Sequence, residues 1–309
     1  MRILLWHVHG SWTTAFVQGR HEYLLPRVSD RGPDGRGRAR TWEWPQSAIE
    51  VTREEACDAR VDAVILQRPV ELERSAREWL GDRRVPTIYV EHNAPQGRIA
   101  EMRHPAADRD DVTVVHVTHF NDLFWDCGRT RTRVIEHGIV DPGYRYTGGT
   151  PRAAVVINEA RRRARVTGTD LLGRFAGDGV PIDLFGMDAE ALGGVEDVPQ
   201  HRLHDEMARR RVYLHPIRWT SLGLSLIEAM HLGMPVVALA TTEAPEAVPA
   251  AAGVLSTSVE RLADAARGFL ADAERAREAG VAAREAALER FGLQRFLDDW
   301  DDLLEEVAA

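Results

Sequence analysis

Apolar residues along the chain gather in short runs, separated by stretches with helical spacing. Residues 2–8 (RILLWHV), 62–67 (DAVILQ), 87–91 (TIYVE), 112–118 (VTVVHVT) and 133–135 are rich in Val and Ile, with few polar positions inside each run. Such runs suit the strands of a parallel sheet covered on both faces, and the intervals leave room for helices. Residues 141–152 (DPGYRYTGGTPR) interrupt the rhythm with Pro and paired Gly, as a linker does. It restarts at 153–157, 182–185, 212–215, 235–239 and 253–255. Two βα series divided near residue 150 predict two doubly wound, Rossmann-like α/β domains facing each other across a cleft. The expected bounds are 1–145 and 146–290, followed by a helix over 291–309. In that helix Leu293, Phe296, Leu297, Trp300, Leu303 and Leu304 make one apolar stripe, and Asp298, Asp299, Asp301 and Asp302 occupy solvated faces.

The length of 309 residues agrees with two domains, since single cores usually stop growing at roughly 250–300. All 39 basic residues are arginine. The absence of lysine excludes pyridoxal Schiff-base enzymes, the P-loop lysine and the protein-kinase strand lysine, each of which needs an amine. Phosphate charge must then meet arginine, backbone N–H groups or a helix N-terminus. Cys57 and Cys127 are too few for a disulfide framework or a thiolate metal centre. A net charge of −9 argues against a nucleic-acid groove. No apolar run approaches a membrane span, and the start lacks a signal-peptide pattern. The expectation is a cytoplasmic protein without a transmembrane segment.

Candidate chemistry concentrates in residues 212–248 (VYLHPIRWTSLGLSLIEAMHLGMPVVALATTEAPEAV). A strand runs into a loop, then Gly223, then a helix over about 224–232 that Gly233-Met234-Pro235 stops. A glycine at a strand-to-helix turn admits an anion to the free N–H groups at the helix mouth, and Glu228 lies just over a turn beyond it. On pattern alone this is either an anion site or an ordinary glycine-started helix with an exposed glutamate. Residues 29–40 (SDRGPDGRGRAR) likewise read as a flexible loop or as an anion-binding acceptor loop.

The segment LGLSLIEAMHLGMPVVA resembles the donor-site signature of retaining GT-B glycosyltransferases, glycosyltransferase family 4 (the group 1 glycosyltransferases) in particular. Glu228 matches the second of the family's two spaced glutamates, and Gly223 with Leu224 matches the Gly-Leu whose backbone faces the diphosphate. Thr220 stands where the first glutamate is usual, followed by Ser221. Glu246 in TTEAPEAV is similar to the later Gly-Gly-x-x-Glu element, with Thr242 and Glu243 in the glycine places. ARVTGTDLL (164–172) looks like EKGxDLL with Thr167 for the lysine, and an ungapped match puts the arginine of the family's preceding Gly-Arg element on Arg162, with Arg161, Arg163 and Arg165 as neighbouring alternatives. RVIEHGIVD resembles VIPNGVD, with His137 replacing asparagine. Gly10, Ser11 and Thr13 occupy the place of the family's first, acceptor-side loop. His92 in VEHNAP falls where the family has a histidine beside the reacting sugar.

The resemblance implies a GT-B fold whose last helix crosses back to the first domain. It also implies transfer of a sugar from a nucleotide-diphosphate sugar, with retention of configuration and without a metal. The co-substrate would be the nucleotide sugar, with no other cofactor; the acceptor would be a small molecule, glycan or lipid, and the place of action the cytoplasm or the inner membrane face. Gly223, Leu224, Glu228, Thr220, Ser221 and Glu246 would bind donor, Arg162 would neutralise diphosphate charge, and His92 would orient the sugar. Two other readings share these residues: a nucleotide-sugar epimerase of the same fold, and a noncatalytic nucleotide-sugar-binding or degenerate partner protein.

Overall fold

The computed structural model describes residues 1–308. The chain divides into two compact units, one formed by Met1–Val140 with the segment from Leu293 onward, the other by Asp141–Gly292.

The first unit carries seven strands, β1 (Arg2–Leu5), β2 (Glu22–Pro26), β3 (Ala48–Val51), β4 (Ala63–Leu66), β5 (Thr87–Glu91), β6 (Val112–His116) and β7 (Arg131–Val134). They lie in the order β3-β2-β1-β4-β5-β6-β7, and every pairing is parallel. Ile3, Leu4 and Leu5, Val64, Ile65 and Leu66, and Ile88 and Val90 are all buried, as strands covered on both faces require. β2 and β3 lie outside the apolar runs read from the sequence. β2 opens on Glu22 and ends on Pro26, and β3, at the sheet edge, exposes Ile49, so neither carries a continuous apolar signal. Residues 29–40 are tied down: Arg31 makes a fork to both Glu50 oxygens at 2.8 and 3.0 Å, and Arg38 donates to the carbonyl oxygens of Pro45, Ala48 and Trp44.

The helix Leu293–Ala308 belongs to this unit. Its Trp300 meets Phe16 at 5.0 Å and Trp12 at 5.7 Å between ring centroids, and Phe296 lies so close to Gly138 that no Cβ fits there. The apolar stripe is thereby buried, while Asp301 on the opposite side accepts from His21 at 2.9 Å.

The second unit holds β8 (Thr150–Val156), β9 (Ile182–Phe185), β10 (Arg210–His215), β11 (Val236–Leu239) and β12 (Gly253–Ser256). Their order is β12-β11-β10-β8-β9, again parallel throughout. Val155, Phe175, Leu214, Val237 and Phe269 are among the residues filling its core. No described helix is long and apolar enough to cross a membrane.

Each sheet has one point where successive strands begin to be laid down on the opposite side. It falls between β1 and β4 in the first unit and between β8 and β10 in the second. In open α/β sheets ligands enter the crevice outside the carboxyl ends of the strands at that point. The loops that matter are therefore those after β1 and β4, and those after β8 and β10.

Candidate functional site

In the second unit, the loop after β8 leads into the short helix Ala160–Arg163, and the loop after β10 carries Thr220, Ser221 and Gly223. The two loops are joined by backbone: Arg218 and Trp219 donate their N–H groups to the Val166 carbonyl at 2.9 and 3.1 Å. Gly168, at a φ of +72°, is what allows this approach, because a Cβ there would run into the Pro216 carbonyl oxygen.

The helix Leu224–Leu232 starts at Gly223, which caps it without a side-chain hydrogen bond. The His215 ring at the end of β10 packs beneath; a Cβ on residue 223 would come within 2.6 Å of it. Burial pushes His215 down to about 3, so the ring there is neutral. Tyr213 donates to Ser225 Oγ at 2.9 Å, fixing the first turn. The first N–H groups of this helix have no i−4 carbonyl within the helix to bond, as at any helix start.

Glu228 is not the exposed glutamate its helix position allowed, being only 4% accessible. Gln200, on the helix Gln200–Arg209, donates to Glu228 Oε2 at 2.9 Å, and His204 Nε2 lies 3.5 Å from the same oxygen. Thr220 and Ser221 are buried in the loop before Gly223. The loop after β11 joins them through the Glu243 N–H, which reaches the Ser221 carbonyl at 3.5 Å. There Thr242 takes a φ of +52°, a left-handed conformation in one of the two places where the resemblance puts glycine. Glu246 itself is exposed. The buried carboxylate of this segment is Glu243, paired with Arg290 at 3.0 Å.

The arginines after β8 separate sharply. Arg161 pairs with Asp188, Arg162 with Glu159 and Arg165 with Asp170, all on the surface. Arg163 makes no side-chain hydrogen bond or ion pair among the described residues and is only partly exposed. Burial, with the neighbouring Arg162 charge adding to it, holds its guanidinium below the ordinary range. A partly desolvated cation that no carboxylate bonds, Glu159 acting on it only through space, is the better-prepared anion ligand, and sequence spacing alone gave no means of choosing it over Arg162.

In the first unit, Gly10, Ser11 and Thr13 do not form a loop; they make up the first turns of the helix Gly10–Phe16. Trp12 and Phe16 draw that segment into the core as a helix, and Thr13 is fully buried, so its hydroxyl does not face solvent. His92 follows β5 and is 7% accessible. Its ring lies 4.0 Å from His9, 5.3 Å from Trp12 and 6.2 Å from His137 between centroids. Burial is the main force lowering the pKa of His92, and the His9 and His137 charges add to it. Trp12 Nε1, Thr13 Oγ1 and His137 Nδ1 are buried without a hydrogen-bond partner. The structure therefore groups Thr220, Ser221, Gly223, Leu224 and Glu228 at the β8/β10 point, and His92 with the segment of Gly10 near the β1/β4 point.

Residues 194–286 match the family of glycosyl transferases group 1. The chain is 31% identical over 134 residues to the alpha-maltose-1-phosphate synthase of Mycolicibacterium smegmatis, a match covering 39% of this chain and 35% of that protein. It thus spans about a third of the length of that curated relative. The structure is similar to sucrose-phosphate synthase from Thermosynechococcus elongatus (TM-score 0.76, 14% identity, 99% of each chain). It is also similar to the Anabaena protein HepE in complex with UDP (TM-score 0.73, 14% identity, 99% of this chain and 100% of that one).

Proposed function

We propose that this chain, which carries a group 1 glycosyltransferase domain over residues 194–286 and has the GT-B fold, transfers a sugar from a nucleotide-diphosphate sugar to an acceptor. The observation that supports this best is the uncapped start of the helix Leu224–Leu232 with a buried carboxylate just over a turn beyond it, in the loop after β10, while the loop after β8 carries an arginine bonded to no carboxylate. The diphosphate would lie against the N–H groups at Leu224 and Ser225, where the helix dipole favours negative charge. Glu228 would accept hydrogen bonds from the ribose hydroxyls, which a carboxylate takes two at a time. The negative charge that grows on the leaving diphosphate needs a fixed cation, and stabilising such charge is usually the largest catalytic term. We assign that part to Arg163 rather than Arg162.

The finer reading follows the family 4 resemblance: retention of configuration, with the leaving phosphate deprotonating the acceptor on the face it departs from, and no metal or further cofactor. His92 would orient a sugar hydroxyl, and the reaction would take place in the cytoplasm. Because the relatives act on several sugars, the acceptor is proposed only as a hydroxyl-bearing small molecule, glycan or lipid.

The test is a thermal-stability panel of UDP, GDP, ADP, TDP and their common sugars, with and without magnesium. One nucleotide series should raise the melting temperature in the absence of metal, and its sugar should then be transferred or slowly hydrolysed. A flat panel at millimolar ligand would sink the donor-site reading. Within the responding series, Arg163→Met should weaken nucleoside-diphosphate binding by about 30-fold or more, the worth of a charge-assisted fork of roughly 2 kcal/mol. Arg162→Met should change it by less than about threefold, since an exposed, already paired arginine contributes under ~1 kcal/mol. Equal losses in the two variants would refute the assignment.

One observation favours a second reading. Thr220 offers a hydroxyl where the resemblance has a carboxylate, which suits a protein that binds a nucleotide sugar without turning it over. Donor stabilisation with neither hydrolysis nor transfer across a broad acceptor panel would decide for it.

A further inference from the structure

Gln67 follows β4 and His92 follows β5, beside the β1/β4 point of the first unit. The Gln67 side chain is buried and spans two groups. Its Nε2 donates to the Trp6 carbonyl at 2.8 Å, and its Oε1 faces His92 Nε2 at 3.0 Å. A backbone carbonyl can only accept, so turning the amide over would set two oxygens against each other. The atom of Gln67 facing His92 is therefore an acceptor, and His92 Nε2 must carry the proton. The Gln67 backbone is fixed in turn by Glu71, whose carboxylate accepts the N–H groups of Gln67 at 2.6 Å and Arg68 at 3.1 Å.

His92 Nδ1 makes no hydrogen bond within the described protein. The groups that pack on the ring are His9 before the first helix, Trp12 on it and His137 after β7. No carboxylate bonds the ring. Glu91, next in sequence, has its oxygens on the Asn93 N–H at 2.7 Å and near His104 Nε2 at 3.2 Å. Arg295, whose charge acts on His137, donates to the carbonyl oxygens of Glu136 and His137. Burial disfavours an imidazolium at His92, and the neighbouring histidines oppose one.

We propose that Gln67 is a positioning residue that fixes the His92 proton on Nε2 and leaves Nδ1 as an uncharged acceptor for a ligand hydroxyl. An imidazole held this way takes a hydrogen bond from an alcohol and repels a phosphate or carboxylate oxygen, which also brings only lone pairs. The ligand group at this ring is therefore a hydrogen-bond donor and, on the glycosyltransferase reading, a sugar hydroxyl. This rests on the reading of His92 as the sugar-facing residue of a glycosyltransferase. The tautomer itself rests only on the hydrogen bonds above.

The experiment is two-bond proton–nitrogen NMR on the full chain labelled at histidine, with His92 assigned by its loss in His92→Gln. His92 should be neutral, with hydrogen on Nε2, throughout about pH 5.5–8. Hydrogen on Nδ1, or an imidazolium in that range, overturns the proposal. In Gln67→Met the tautomer ratio should move about tenfold towards Nδ1–H, the worth of one hydrogen bond of roughly 1.4 kcal/mol. An unmoved ratio shows that Gln67 does not set it. In Gln67→Glu the carboxylate should bring protonation of His92 into the accessible range, an effect that lost packing would not produce. With UDP-glucose bound, as judged by thermal stabilisation, the Nδ1 resonance should shift, whereas UDP should leave it in place. Occupancy without that shift overturns the hydroxyl contact alone. Failure of every nucleotide sugar to bind overturns the functional reading beneath it.

Discussion

Glu228→Gln should remove most of the stabilisation that a nucleotide sugar confers, while leaving the unliganded protein folded. The substitution keeps the shape of the side chain but replaces one acceptor oxygen with a donor. The buried carboxylate already receives Gln200 on Oε2 at 2.9 Å, so the amide must choose between that partner and the ribose. Either choice misaligns a hydrogen bond to a charged group, a loss of about 2 kcal/mol or roughly 30-fold in affinity. A ligand held at ~100 times its Kd stabilises by about 2.7 kcal/mol; after a 30-fold loss the same concentration gives about 0.9 kcal/mol. The thermal shift should shrink by about two thirds, and the melting temperature without ligand should change little. An undiminished shift would remove Glu228 from the donor site. Glu228→Ala is the blunter variant, because it also strands Gln200 and His204 against a cavity.

The largest stability effect is expected at Glu71→Ala, in the first unit. This side chain is fully buried, and its oxygens accept from the Gln67 and Arg68 N–H groups and from Arg68 Nε at 2.6 Å. Burial pushes its carboxyl upward, and the three donors pull against that. Deleting the carboxylate strands the buried Gln67 N–H and the half-buried Arg68 N–H, and leaves the Arg68 guanidinium only Asp34 at 3.5 Å. Breaking a buried pair in this way costs about 3–5 kcal/mol, a large fraction of the roughly 5–15 kcal/mol that holds a domain together. Urea unfolding should show the midpoint falling accordingly. Glu71→Gln, which keeps acceptor capacity, should lose clearly less. A change under about 1 kcal/mol in the alanine variant would mean that the turn after β4 finds other partners.

The sequence by itself determined the architecture, because the signals for it are local. A buried parallel strand must be apolar at successive positions, so the chain itself displays β1, β4, β5, β6 and the five strands of the second unit. The helix over 224–232 could be read to the residue: its apolar run begins after Gly223 and is stopped by Gly233 and Pro235. The stripe of the last helix likewise showed which face is buried. β2, β3 and the helix Gly10–Phe16 were not legible: the apolar run of β2 is short and closed by Pro26, β3 at the sheet edge needs only partial burial, and a glycine-led aromatic segment gives no clear period. What only the tertiary structure decided was which of several identical side chains is free to act. Within residues 161–165 the arginines are chemically alike. Asp188 in the turn after β9, Glu159 at the start of the helix Ala160–Arg163 and Asp170 in the helix Thr169–Gly177 engage three of them, and no carboxylate bonds Arg163. The same holds for Glu243 against Glu246, where Arg290 reaches one carboxylate and only the backbone of the other. It holds again for the proton of His92, which is placed by a glutamine 25 residues away in sequence. Propensity and periodicity act along the chain, whereas pairing, desolvation and tautomer depend on neighbours that only folding supplies.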